Sequence, residues 1–517
     1  MEIILAILPL GVSIFTLVVL QRDGKQAGIA TLMTTIVLTF IFPPFHLLPS
    51  QLLIALGQGL SASLLIFYLL LPSLLLYHLL QATGSMNILG WGITRLVPNR
   101  DLQVLLLVMG LAPFAESVSG FGVGTILVIP IFVVLEFGLG SSAILGILGQ
   151  MAVPWGGLGI GTTLGAELAK LDPGKLGAYT ALLMAPLPMF YGLVALVVSG
   201  GKKSLQSRWP VCIIVGGVIT TCLYAFSFTP GIELAGLLAS VVAMSVIVAW
   251  GQIEVYQRQG KGILSAITAS QSKKTSSVNL NIKSAGREVS GSELSLCRVM
   301  APYLILTAFL LISRLIVPIR LWLQSHCVLS IPTVNLHLPL LYNPGFSLLI
   351  TVFASSKILG IGVLEFQVAA VRAWRQFIPG ALAIACFLIA SQIMQVSRMT
   401  ETIGITAVML GDNYKWVAPY LAALGGWVTG SNTGSNALFS QLHLAVSTQS
   451  GLQLDWLMAA QNAASSHATM IAPTRTILAA TAVGLHRGEA FLLRRMSPIV
   501  VVAVTVTMLL LIIATSG

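Results

Sequence analysis

Gly110-Leu-Ala-Pro-Phe-Ala-Glu-Ser-Val-Ser-Gly-Phe-Gly-Val-Gly-Thr125 and Gly425-Gly-Trp-Val-Thr-Gly-Ser-Asn-Thr-Gly-Ser-Asn436 decide how this chain is read. Both are set in long apolar sequence, about 300 residues apart. Hydrocarbon offers a backbone no hydrogen-bond partner, so a membrane helix must close its own bonds. Segments rich in Gly, Ser, Thr and Asn serve that task poorly unless they line a cavity. Paired broken segments in the two halves of a membrane protein point to a transporter's binding site.

Composition places the rest of the chain in lipid. Of 517 residues, 56% are hydrophobic and only 8% charged, against roughly 25% charged in soluble domains. Ile3–Leu20, Leu64–Leu80, Val211–Ala225, Leu234–Trp250, Ala301–Val317 and Ile499–Ile513 are apolar runs that approach or reach the length of a membrane-crossing helix. The expected fold is an all-α polytopic membrane protein with about 12–14 transmembrane helices or half-helices, read from hydropathy. The first run reads as a span and not as a cleaved signal: it begins with Glu2, is long, and precedes no A-x-A site.

The formal charge of +11 is explained by loops and not by a nucleic-acid partner. Arg22 and Lys25; Arg95 and Arg100; Lys202, Lys203 and Arg208; and Arg487, Arg494 and Arg495 form short basic clusters. The stretch 251–295 adds Arg258, Lys261, Lys273, Lys274, Lys283 and Arg287. The positive-inside rule makes these cytoplasmic and puts both termini outside, in a plasma membrane (the inner membrane of a bacterium). Lys170 and Lys175 fit this less well. Five cysteines, Cys212, Cys222, Cys297, Cys327 and Cys386, show neither disulfide nor metal-ligand spacing. No cofactor is expected. No Walker A sequence, H-E-x-x-H or G-x-S-x-G occurs, so energy must come from a gradient.

Three regions follow: a membrane half over 1–250, a polar, Ser-rich, flexible cytoplasmic connection over 251–295, and a second membrane half over 296–517. A weak repeat relates the halves. Gly120 is followed 30 residues later by Gln150-Met-Ala-Val-Pro-Trp-Gly-Gly-Leu-Gly-Ile-Gly-Thr-Thr163. Gly430 is followed 31 residues later by Gln461-Asn-Ala-Ala-Ser-Ser-His-Ala-Thr-Met-Ile-Ala-Pro-Thr474.

Glu116 is the acid in an otherwise uncharged stretch, Leu102–Phe121. An ionised carboxylate at a bilayer centre costs ~3 kcal/mol on insertion scales. It must face a cavity, pair with a cation or carry a proton, which makes it a candidate proton carrier. The competing reading is a carboxylate capping a broken helix. Arg475, past Pro473, suits bidentate binding of a substrate carboxylate, or else snorkels to the headgroups. Thr429, Gly430, Ser431, Asn432, Thr433, Ser435 and Asn436, with Ser119, Gly120 and Gly122, form the expected substrate site. Asparagine amides and free N–H groups at a half-helix start can hold an anion. Close packing through G-x-x-x-G accounts for the glycines but not for two interleaved asparagines. His467 is a second candidate for proton coupling. Lys357, Glu365, Arg372 and Arg375 read as an interfacial charged edge without chemistry.

Glu116-x-x-x-Gly120-Phe121-Gly122 and Gly430-Ser-Asn-Thr-x-Ser-Asn436 resemble the two best-marked segments of the L-lactate permeases. Leu158-Gly159, Trp209-Pro210, Ala301-Pro302-Tyr303-Leu304 and Gln461-Asn462 through Pro473 add weaker support. The resemblance covers most of the chain. It implies a secondary transporter of small 2-hydroxy monocarboxylates such as lactate or glycolate, moved with protons. The chain departs from the family where a Gly-Gly pair and a basic residue usually precede the segment at Met470-Ile471: here that stretch reads Ser465-Ser466-His467-Ala468-Thr469, and the cation appears as Arg475. The rival readings are a channel or uniporter for another small organic anion, and a membrane-embedded enzyme, which would need a clustered nucleophile and base.

Overall fold

The computed structural model describes residues 2–20, 22, 24–85, 88, 96–120, 122–270, 296–334, 336–483, 485 and 489–516. Among these, 21 α-helices alternate with short turns and one hairpin, β1 (Val328–Ile331) against β2 (Leu336–Pro339). The apolar runs named above are helical, except that Leu20 lies just past a π-helical turn and Ala301–Val317 is interrupted at Ile316. Five helical stretches are long and apolar enough to cross a membrane: Arg100–Val118, Leu187–Thr229, Ile232–Gln257, Val363–Val396 and Phe491–Thr515. A sixth span exists if a pair bent by 62°, Leu139–Leu148 with Val153–Ala169, counts as one. The helices α1 (Glu2–Ile14), α2 (Gly24–Ile41) and α3 (Pro49–Ala82) precede them. Large apolar side chains face outward, including Ile4, Leu53, Phe353 and Ile513. In water such a surface would be unfavourable; in lipid it is the expected exterior.

The interrupted segments occupy the interior. α4 (Arg100–Leu105) continues through a π-helical turn into α5 (Ala112–Ser119), which stops at Gly120 with φ +71°. α6 (Val123–Val134) starts from Gly122, also left-handed. α7 (Leu139–Leu148) breaks before α8 (Gly156–Ala169), whose residues Gly157, Leu158 and Gly159 are all left-handed. For Leu158 that conformation costs about 1–2 kcal/mol. α9 (Pro173–Leu183), α10 (Leu187–Phe226) and α11 (Ile232–Ser270) complete the first half, and α12 to α16 run from Leu296 to Val408. Then α17 (Tyr414–Thr429) ends at left-handed Gly430, and Ser431 caps α18 (Asn432–Ser450). α19 (Leu454–Thr469), α20 (Pro473–Ala482) and α21 (Glu489–Thr515) close the chain.

Lipid gives helices no hydrophobic reason to associate, so close approach through small residues takes over. At Gly426 an added Cβ would run into the Ser465 backbone, and one at Gly124 into the Ala112 carbonyl. The basic run Lys202, Lys203 and Arg208 is helical and not a loop: α10 bends at Gly201, φ +68°, and resumes at once. Similarly, 251–270 continue α11, so the expected connection begins helically; 271–295, with Lys273, Lys274, Lys283 and Arg287, lie outside the described residues. Ser204 donates to Asp101, Arg208 pairs with Glu254, and Gln252 donates to the Leu96 carbonyl. These basic elements therefore share one end of the molecule. Lys175, the misfit in the charge pattern, pairs with Asp455 at 2.7 Å, and that hydrogen bond raises its pKa above the usual lysine value.

Candidate functional site: a buried ion pair and an amide network at four helix breaks

Glu116 lies in the last turn of α5 and is 1% exposed. Its carboxylate folds under the break: Oε1 accepts from the Gly122 N–H at 3.0 Å, and Oε2 from the Gly124 N–H at 3.3 Å. An acid at the free N–H groups of a helix start is where the helix dipole favours one. Arg475, in the first turn of α20, brings Nη1 to 3.7 Å from Glu116 Oε1. It is 6% exposed, so it does not reach to an interface. Its guanidinium lies directly on Gly122, where any Cβ would collide with it. At 3.7 Å the charges attract without a hydrogen bond, and Nη1 has no hydrogen-bond partner. The capping and ion-pairing roles considered for Glu116 thus coexist.

A second cluster lies where α18 and α19 meet α8. Asn432 donates to Asn462 Oδ1 at 2.7 Å, and Asn436 donates to the same oxygen at 3.0 Å and to the Gly161 carbonyl at 2.8 Å. Asn462 donates to the hydroxyls of Thr162 (2.8 Å) and Thr180 (3.0 Å). Those hydroxyls donate onward to the Pro154 and Leu176 carbonyls. Gln461 Nε2 donates to Ser435 and Asn436, so Gln461 Oε1 must be the acceptor of His443 Nε2–H at 2.9 Å. His443 Nδ1 then accepts from the Tyr414 hydroxyl at 3.1 Å. Every proton runs one way, from Tyr414 to backbone carbonyls. Ser465 adds a bond to Asn432 Oδ1. In this arrangement the asparagine donors are spent inside the protein, and they join the first half to the second.

Of the expected site residues, Glu116, Gly122 and Arg475 form one locus, and Asn432, Ser435 and Asn436 another. Gly120 connects them, since a Cβ there would sit 3.2 Å from the Gly157 nitrogen and α8 carries Gly161, against Asn432 and Thr433. Thr429, Gly430 and Ser431 shape the helix ends: Thr429 donates to the Gly425 carbonyl and Ser431 Oγ accepts from the Gly434 N–H. The Ser119 side chain and Phe121 lie outside the described residues. His467 bonds Tyr191 at 2.8 Å through Nδ1, and its Nε2 has no partner. Sequence reasoning missed His443, Thr162 and the site role of Gln461, Asn462 and Ser465. His443 was within reach, because it follows Asn436 by seven residues on the same helical face.

The family model described as L-lactate permease matches residues 2–515. The glycolate permease GlcA of Escherichia coli (strain K12) is 24% identical over 95% of this chain and 91% of its own length. The L-lactate permease of Streptococcus iniae is 23% identical over 89% and 93%, and that of Bacillus subtilis (strain 168) 22% identical over 95% and 91%. These relatives are permeases, which move solutes across membranes and do not convert them. A polytopic helical protein with broken interior helices, similar to these permeases along nearly its whole length, this chain belongs to the L-lactate permease family.

Proposed function

We propose that the protein is a secondary transporter of small 2-hydroxy monocarboxylates, lactate and glycolate foremost, and that it carries them with protons. The observation behind this reading is the Glu116–Arg475 pair, buried at two helix breaks with a guanidinium N–H unspent. An arginine fork suits a carboxylate. The pair alone is neutral. A bound monocarboxylate would add one uncompensated negative charge in the interior, at a cost of ~3 kcal/mol or more. A proton on Glu116 restores neutrality. Anion and proton therefore favour each other's binding, which is coupling in a one-to-one ratio. The asparagine network would hold the two halves in one arrangement and reform in another as access alternates.

The halves read as repeats. α20 packs on α6 and α7, and α18 packs on α8. Exchanging α6 with α18 and α8 with α20 turns one cross-half contact, α6 with α20, into the other, α18 with α8. The shared basic end supports a cytoplasmic assignment for Lys202, Lys203 and the connection 271–295, and external termini.

Labelled lactate and glycolate uptake into proteoliposomes, with and without an imposed inward proton gradient, tests the function. Saturable accumulation above the external concentration is expected only with the gradient. Non-saturating flux without accumulation would make the protein a channel.

A further inference from the structure

Gln150 stands at the break between α7 and α8 and is 1% exposed. Its Nε2 donates to Thr125 Oγ1. Thr125 has one hydroxyl proton, which goes to the Gly146 carbonyl at 3.1 Å. The Thr125 oxygen must therefore be the acceptor, and the Gln150 amide cannot be turned over. This points Oε1 the other way, where it has no hydrogen-bond partner. A buried carbonyl held in one orientation and left unpaired calls for an explanation.

Its position supplies one. Thr125 follows Gly122 by three residues in the first turn of α6, so the two share a helical face, separated along the axis by about 4.5 Å. Arg475 lies on Gly122, and Gln150 is fixed to Thr125. An unspent donor, Arg475 Nη1, and an unspent acceptor, Gln150 Oε1, thus border one turn of one helix. α20, which carries Arg475, also packs on α7, the helix that leads into Gln150.

A 2-hydroxy acid presents the complementary pair on adjacent carbons: a carboxylate that needs donors and an alcohol that can donate. We propose that Gln150 is a specificity-determining residue whose side-chain carbonyl accepts the substrate's 2-hydroxyl proton while Arg475 holds the carboxylate. This rests on the transport reading above. An amide carbonyl distinguishes an alcohol from its neighbours in chemistry. Propionate has no hydroxyl, and the 2-oxo group of pyruvate can only accept, so it faces Oε1 with like polarity. A site built to pair a hydroxyl rejects the analogue lacking it far more strongly than an apolar pocket does.

The test is competition: inhibition of labelled lactate exchange by unlabelled L-lactate, propionate and pyruvate, with ligand-induced thermal stabilisation of the purified protein as a second readout. Wild type should prefer lactate over both analogues by ~10-fold or more. In Gln150→Met, of similar volume but without the acceptor, that ratio should fall towards one through weaker lactate binding, with propionate little changed. A ratio measured on one preparation does not depend on how much protein folds. Thr125→Val, which frees the amide to turn, should also lower the ratio. An unchanged ratio in either variant overturns the assignment of Gln150 while leaving the transport reading intact. Failure of wild type to bind or move lactate or glycolate overturns both.

Discussion

At the scale of single residues, Asn436 was legible as important, but its work was not. Two asparagines among glycines suggested an anion site because the sequence cannot say which donors are already taken. The structure assigns the Asn436 amide to Gly161 and Asn462, on opposite halves of the chain. Asn436→Leu leaves a Gln461 N–H without its acceptor in a buried site and removes the amide bonds to Asn462 and to the Gly161 carbonyl. An orphaned group costs about 1–3 kcal/mol. The variant should reach the membrane, melt at a lower temperature in detergent, and lose uptake. Unaltered melting and uptake would mean the amide network is not what joins the halves. Glu116 and Arg475 were legible for a simpler reason. Charge in apolar sequence is conspicuous, and two opposite charges that cannot reach water must meet. That Arg475 lies over Gly122 and not among the asparagines depends on helix packing, which no local pattern encodes.

At the scale of elements, the breaks were the most legible feature. Gly120 and Gly430 end helices with positive φ, and Gly124 and Gly434 pack tightly just beyond. Glycine marks such points because a Cβ would clash or force strain. Left-handed Leu158 was illegible, since a leucine gives no sign of it. The basic stretches misled in the opposite direction. Lys202, Lys203 and Arg208 read as a loop, yet lysine and arginine are good helix formers, and α10 turns at Gly201 alone. Their side of the membrane remains a matter of charge. Lys203 is exposed at the basic end. With Lys203→Cys in a cysteine-free background, an impermeant thiol reagent should label inverted vesicles and spare intact cells. Labelling from outside intact cells would invert the proposed orientation.

For the whole molecule, the fold class was plain from composition, because only helices and closed barrels can satisfy a backbone in lipid. The interlocking of the halves was only hinted at by two similar spacings. The structure adds two cross-half joints, Glu116 with Arg475 and Asn436 with Gly161, at which a carrier could both bind and switch. In the proposed mechanism the first joint couples a proton to the anion. Glu116→Gln keeps the shape and fixes the side chain in a neutral form that resembles its protonated state; its one carbonyl oxygen can still accept from Gly122, while the amide nitrogen gives up the bond from Gly124. The decisive measurement is paired assays on this variant in one set of proteoliposomes: lactate counterflow exchange, and lactate uptake driven by a pH gradient alone. Exchange should persist while uphill uptake disappears. If Glu116→Gln still concentrates lactate when protons are its only driving force, Glu116 is a structural cap and the coupling claim is wrong.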